Sequence, residues 1–294
     1  MTAQPGILAP PSLYHFHVEY SFDDFSDLHQ LKHVIRSEQE SAAFRSRQVL
    51  FGFSDILWDA LSTASMPDTY SAFEEIHGQD VLVPATQGDL WIWIHGDSHP
   101  MNLDTALSLN RTMREIGAHR TLEVFGFVRH ENRDFTGFID GTENPEGEAA
   151  VEAALIPDGD GSSFALTQKW VHNLPKFNAL ETAEQERVIG RTKRDSIELQ
   201  GDAMPDDSHV SRTDAEVDGV KQKILRISVP HGDFENRGLH FVAFACNLSR
   251  IQVQLERMFG VTGDALHDRL TEFSTPVSGS YWYVPTVETL HDLT

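Results

Sequence analysis

The strongest constraint on how this chain can fold is the order of its strand-like and helix-like segments, which runs through one succession twice. From Leu13 to Tyr20, Tyr14, Phe16, Val18 and Tyr20 alternate with His15, His17 and Glu19. A period of two belongs to a strand. Residues 23–47 open with acidic residues and are rich in Leu, Ala, Glu and Gln, which predicts a helix. Val49–Phe53 reads as a short apolar strand and Asp55–Leu61 as a short helix. Asp89–His95 alternates Leu90, Ile92 and Ile94 against Trp91, Trp93 and His95, a half-buried strand. Ser98 suits the N-cap of a helix running to about Gly117, and Thr121–Arg129 reads as a further strand.

The second half repeats this loosely. Ser163–Val171 predicts a strand, and Thr182–Ile189 a helix opened by Thr182 and Gln185 in capping-box spacing. Lys223–Val229 and Leu239–Cys246 predict strands, Ser249–Phe259 a helix and Ser280–Val284 a last strand. Each half is approximately β-α-β-β-α-β, the ferredoxin-like unit. The expected architecture is α+β, with two ferredoxin-like subdomains over residues 1–130 and 131–294 and their sheets stacked or merged. The stretch from Glu143 to Gly161, rich in Glu, Pro, Asp and Gly, is the best linker candidate, and Asp195–Gly219 a second polar loop.

Composition narrows the function classes. The chain has 294 residues, 40% of them hydrophobic, with 18 Phe and 5 Trp, enough for a packed core. Against 45 acidic residues stand 23 Lys and Arg, a formal net charge of −22. That field repels a phosphate backbone and an anionic membrane surface, so neither nucleic acid nor membrane is an expected partner. The single cysteine, Cys246, lies in an apolar run and reads as a buried thiol; it permits no internal disulfide. The first residues carry no export-signal pattern, and no apolar run approaches the ~18 residues of a membrane span. A cytoplasmic location is the expectation.

Three features carry chemistry. Gly137-Phe138-Ile139-Asp140-Gly141-Thr142-Glu143-Asn144-Pro145 is an apolar approach ending in a sharp turn, which aims the Asp140 carboxylate at the rim of a pocket or makes an ordinary Asp-Gly turn. His209 lies in a polar loop after Asp206 and Asp207; among 15 histidines, spacing does not single it out. Arg226 sits between apolar neighbours in an alternating strand, where a guanidinium reaches solvent or serves an anionic site.

Taken together these segments resemble the dye-decolorising peroxidase family, and most the shorter bacterial members called class B. Gly137–Pro145 is similar to the family's GxxDGT signature. Ile189-Gly190-Arg191-Thr192-Lys193 followed by Asp206-Asp207-Ser208-His209 resembles the approach to its haem-ligating histidine, and Arg226 falls at its distal arginine. Phe273–Gly279 and Tyr283-Val284-Pro285 also look like family sequence.

The resemblance implies two ferredoxin-like subdomains arranged like a dimeric α+β barrel, with haem b in the C-terminal half. His209 would be the iron ligand, and Asp268 or Glu272 the carboxylate on its other ring nitrogen. Asp140 would be the general acid–base and Arg226 the electrostatic partner of peroxide, with Gly141, Thr142, Glu143, Ser228 and Phe244 also around the haem. Some class B members carry Asn where this chain has Ser228, so a smaller polar network is expected here. The implied activity is reduction of hydrogen peroxide with one-electron oxidation of bulky aromatic or dye donors. Trp91, Trp93, Tyr281, Trp282 and Tyr283 either carry electrons to the surface or pack the core. A homo-oligomer is expected.

Two other classes remain. A haem-binding or haem-handling protein, including one that releases iron from haem, would use His209 without needing Asp140. Peroxide-dependent oxidation of a dye or phenol separates the two. A non-haem metal site on His95, His99 and Asp97, or on His15 and His17, lacks a third ligand at diagnostic spacing; a Soret band would dismiss it.

Overall fold

The computed structural model describes every residue except 1, 26, 43–46, 79–80, 158–160 and 294. The first half contributes β1 (Tyr14–Phe22), α1 (Leu28–Ala42), β2 (Arg47–Phe53), α2 (Asp55–Leu61), β3 (Leu90–Gly96), α3 (His99–Glu115) and β4 (Ala118–Phe127). The second contributes α4 (Glu148–Ala154), β5 (Ser163–His172), α5 (Thr182–Ile189), α6 (His209–Thr213), β6 (Leu225–Arg226), β7 (Val229–Gly232), β8 (Arg237–Ala245), α7 (Leu248–Met258), β9 (Ser274–Pro276) and β10 (Ser280–Val284).

Strand order in the first half is β4-β1-β3-β2, and in the second β7-β8-β5-β10. Both are the antiparallel order of a ferredoxin-like sheet, so the twofold reading of the sequence matches the fold. The two sheets merge. β7 joins β4 through His231 and Gly126, β10 joins β2 through Tyr283 and Phe53, and the ring closes into a barrel. Gly126 is required at its seam, because a Cβ there would lie 2.2 Å from Val229 Cγ2.

Closure explains where the sequence reading fell short. β1 and β3 alternate as expected, but neither is half-buried. One face of each, with Phe16, Val18, Ile92 and Ile94, packs under the helices; the other faces the barrel interior. That interior holds Trp91, Trp93, Trp282 and Phe244 together with His15, His17, His95, Glu19 and His240. Its rings stack in a continuous array: His95 on Trp93 at 4.0 Å, Trp93 beside Trp91, and Trp91 beside Trp282. The five aromatic residues weighed as electron carriers are all buried.

Other boundaries moved for local reasons. Residues 223–229 do not form one strand: β6 ends at Arg226 and β7 begins at Val229, followed by Pro230, which has no N–H to donate. The stretch proposed as a linker contains α4, whose Ala150 and Ala154 pack on the barrel cluster; residues 158–160 of that stretch lie outside the described residues, as do 43–46 of the first long helix. Cys246 is buried, and burial pushes its thiol up. Among the described residues no helix is long and apolar enough to cross a membrane.

The interior histidines are held neutral. His15 accepts from Trp93 Nε1 at 3.1 Å on Nδ1 and donates from Nε2 to Ser12 O at 2.9 Å. Desolvation lowers His15 to about 4 and His95 to about 3, and also drives His17 and His240 well below the ordinary imidazole value. Glu19, which accepts hydroxyl hydrogen bonds from Thr167 and Ser280, is pushed up to about 7 by burial. The histidines take up protons in the unfolded chain near 6.5 and in the folded one only near 4 or below, so their effect destabilises the fold as pH falls across that window. Glu19 works in the opposite sense between 4.5 and about 7, and Asp134 between 3.8 and about 6, but they are two groups against six lowered histidines, His172 and His231 included. We therefore expect the thermal midpoint to fall steadily from pH 6.5 to 4, and His17→Phe to flatten that slope. A midpoint indifferent to pH over this range contradicts the assignment.

Candidate active site

Asp140 is placed by a small hairpin loop. Asp140 N donates to Asn132 O at 3.0 Å, and Asn132 Nδ2 donates back to Asp140 O at 2.8 Å. Phe138 anchors the loop in a separate apolar cluster with Phe177, Val188, Ile189 and Phe273. Gly141 then turns with φ +81°, a backbone angle that disfavours other residues.

The turn delivers Asn144 to the strand carrying Arg226. Asn144 Nδ2 donates to Arg226 O at 2.6 Å, and Arg226 N donates to Asn144 Oδ1 at 3.1 Å. The two candidate residues are thus bound into one unit by a side chain that sequence reasoning had not assigned. Arg226 Nε is buried without a protein partner, as is Ser228 Oγ. Thr142 Oγ1 lies 3.4 Å from Ser196 Oγ, and Glu143 pairs with Arg191 at 3.1 Å.

His209 is the first residue of α6, which Ser208 caps by accepting from Ser211 N at 3.2 Å. Its Nδ1 is 2.6 Å from Asp268 Oδ2; the imidazole is 28% exposed and the carboxylate fully buried. Asp268 Oδ1 also accepts from Leu270 N at 2.8 Å, which fixes the carboxylate. Of the two carboxylates weighed for this position, Asp268 makes the contact. Glu272 instead lies near Arg269 and His267. The bond at Nδ1 leaves Nε2 as the ring nitrogen that Asp268 does not engage.

Three cavities, of about 200, 100 and 460 Å³, all have Asp140 and Arg226 in their walls. His209 lines the first two. The first has a polar rim with Gly141, Thr142, Glu143, Arg191 and Lys223. The second is largely apolar, walled by Trp170, Leu239, Phe241, Ile251, Leu255 and Met258. Ser228 lines the third.

Phe244 is not brought to the site. It pairs with Leu225 across the β6–β8 ladder and points with it into the barrel, whereas Arg226 pairs with Ala243. Strand parity therefore puts Leu239 and Phe241 on the Arg226 side, and counting in steps of two would have found them. Among the described residues no group of three or more His, Cys, Asp or Glu is disposed to hold a metal ion, so His95, His99 and Asp97 form no such cluster.

Residues 22–127 match the family described as Dyp-type peroxidase, N-terminal, and residues 131–289 match Dyp-type peroxidase, C-terminal. The chain belongs to the Dyp-type peroxidase family. A dye-decolorizing peroxidase from Mycolicibacterium paratuberculosis is 33% identical over 302 residues, covering 97% of this chain and 84% of that protein. The structure of a dye-decolorizing protein from V. cholerae superposes with a TM-score of 0.89 at 34% identity, covering 99% of this chain and all of that one. A variant of DypB from Rhodococcus jostii in complex with haem superposes at 0.91 with 31% identity, covering 98% of each chain.

In this Dyp-type peroxidase the Asn144 clamp is the joint between the Asp140 turn and the Arg226 strand. Asn144→Ala removes both bonds and leaves a backbone donor and acceptor of Arg226 unpaired. A loss of about 1–3 kcal/mol of stability is expected, read from urea unfolding. A variant as stable as wild type would show that the clamp holds nothing.

Proposed function

We propose that His209 would hold the iron of haem b through Nε2, and that Asp140 and Arg226 act on hydrogen peroxide in the cavities they share with it. The observation that carries this reading is the meeting of His209, Asp140 and Arg226 on shared cavity walls, with His209 tied by Nδ1 to the buried carboxylate of Asp268. The protein is a haem peroxidase by family, and the site suits that group. The apolar wall of Leu239, Phe241, Ile251, Leu255 and Met258 would hold the flat ring. Arg191 and Lys223 on the polar rim would meet its carboxylates.

Haem, when bound, supplies the redox chemistry, in which peroxide is reduced and donors are oxidised one electron at a time. The protein supplies three other things. Asp268 fixes the ring orientation of His209 and strengthens it as a ligand. Asp140 takes a proton from one peroxide oxygen and returns it to the other, a general acid–base role. Arg226 offers a fixed positive charge where negative charge builds as the O–O bond lengthens, and its unpartnered Nε is a donor not committed elsewhere. Gly141, Thr142 and Glu143 shape the rim, and Ser228 presents a hydroxyl to the third cavity.

We take residues 1–130 and 131–294 as the two subdomains, with the haem held by the second. We also propose a cytoplasmic protein, from the single buried thiol, and a homo-oligomer. The oligomer reading rests on the hairpin at Val217 and Val220, which pair across it and are both exposed.

Two outcomes are expected. His209→Ala should lose most of its haem; an unchanged Soret band and iron content would remove it as the ligand. In stopped-flow mixing with peroxide, Asp140→Asn should slow the first absorbance change by roughly 10²–10⁴-fold. Arg226→Leu should slow it by about 10²–10³-fold or more. We expect the arginine variant to be at least as damaged, because water can stand in for a carboxylate but nothing replaces a fixed guanidinium. Wild-type rates in both variants would exclude these residues from the mechanism.

A further inference from the structure

Reduction of hydrogen peroxide to two waters consumes two protons as well as two electrons. Asp140, in moving a proton from one peroxide oxygen to the other, supplies none on balance. A donor that gives up only an electron supplies none either. Protons must therefore come from outside that pair, by water or by another titratable side chain on the cavity wall.

Two side chains fit and have no part in the chemistry above. Asp134 and His172 both line the apolar cavity that also holds Asp140, Arg226 and His209. Asp134 lies in the same hairpin loop as Asp140. His172 ends β5 on the face that carries Gln168 and Trp170. Asp134 Oδ2 is 3.9 Å from His172 Nε2, close but beyond a direct hydrogen bond. That Nε2 is buried without a partner, while Nδ1 is 2.7 Å from Ser274 Oγ.

The other Asp134 oxygen accepts from Thr136, from the backbone N–H at 2.8 Å and from the hydroxyl, which fixes the carboxyl. The Asp134 and His172 side chains are 16% and 6% exposed.

Burial pushes Asp134 up to about 6; the Thr136 hydroxyl opposes this and the nearby Asp140 adds to it. Burial lowers His172 to about 4, helped by His231. Lys193 also acts on Asp134, and Arg129 donates to its backbone carbonyl. Asp134 is thus a carboxyl that exchanges its proton in a mildly acidic range, next to an imidazole that stays neutral there.

We propose that Asp134, together with His172, delivers the protons that peroxide reduction consumes. The reaction is H2O2 + 2 H⁺ + 2 e⁻ → 2 H2O. The O–O bond breaks and peroxide is reduced, two donor molecules each lose one electron, and the protons pass one at a time from Asp134. Solvent water, placed beside the carboxyl by the neutral His172 ring, then reprotonates Asp134. This rests on the reading of Asp140 and Arg226 as the peroxide side.

The test compares ferrocyanide, which gives only an electron, with a phenol, which loses a proton along with its electron. It uses Asp134→Asn and His172→Gln holoenzymes; Asn keeps the acceptor that holds the Thr136 turn. Above pH 6, ferrocyanide turnover in Asp134→Asn should fall at least about 10-fold. Phenol turnover should fall less, and the first reaction with peroxide should be unchanged. His172→Gln should show the same donor selectivity.

Independently of turnover, difference infrared spectra across pH 6 should show a protonated-carboxyl band that Asp134→Asn lacks. Equal losses with both donors, intact ferrocyanide turnover in both variants, or no such band would overturn the route. A wild-type holoprotein inert to peroxide would overturn the reading of the site itself. Reactive wild type with unaltered variants overturns this route alone.

Discussion

The pairing of β5 with β8, completed by the two narrow seams between the halves, is the constraint on which the rest of the structure depends. Joined edge to edge, two four-stranded sheets no longer need a second layer on their inner faces, because each covers the other. The outer faces still need helices, and α1, α3 and α7 cover them. Closure also decides which side of each strand reaches the peroxidase chemistry. In the second half the outer face of β5, β6 and β8 presents Gln168, Trp170, His172, Arg226, Leu239 and Phe241 toward α6 and α7. The site is the gap between that face and those helices.

Within the gap, geometry is set mostly by backbone contacts. The Asp140 turn is held by Asn132, the Arg226 strand by Asn144, and His209 by the cap at Ser208 and the carboxylate of Asp268. A guanidinium and a carboxylate facing one cavity from separate segments would drift without such ties, and small displacements at a reacting centre are costly. The acid–base and electrostatic roles proposed for Asp140 and Arg226 rely on the ordinary hydrogen bonds of their neighbours.

Much of this was legible in the chain. Period-two alternation located β1 and β3, the segments read as strands at β5, β8 and β10 lie within a few residues of those elements, and the doubled order of elements led to the ferredoxin-like halves. Asp140, His209 and Arg226 stood out only in combination; each alone had an ordinary explanation. What was hidden required knowing what lies on the far side of a strand. The polar face of β1 looks like a solvent face in sequence, and only ring closure turns His15, His17 and Glu19 inward. Phe244 was placed near the haem by the family resemblance, where a parity count from Ala243 favours Phe241. Asn144 looked like part of a turn, and nothing in its neighbours points to a strand 82 residues away. Asp268 and Glu272 could not be separated until one cap brought a carboxylate to the imidazole.

The seams have a mechanical meaning of their own. Around most of the barrel, neighbouring strands are laced along their full length, as β5 and β8 are from Gly238 to Ala245. At two lines, among the described residues, the lacing narrows to a single pair, Tyr283 with Phe53 and His231 with Gly126. A cylinder stitched this way has two creases. Each half is stiff by itself, and any swelling of the barrel concentrates along those lines, where the fewest amides must part. Amide exchange should therefore be fastest in the sheet beside Phe53 and Gly126, with the long ladders on either side exchanging last.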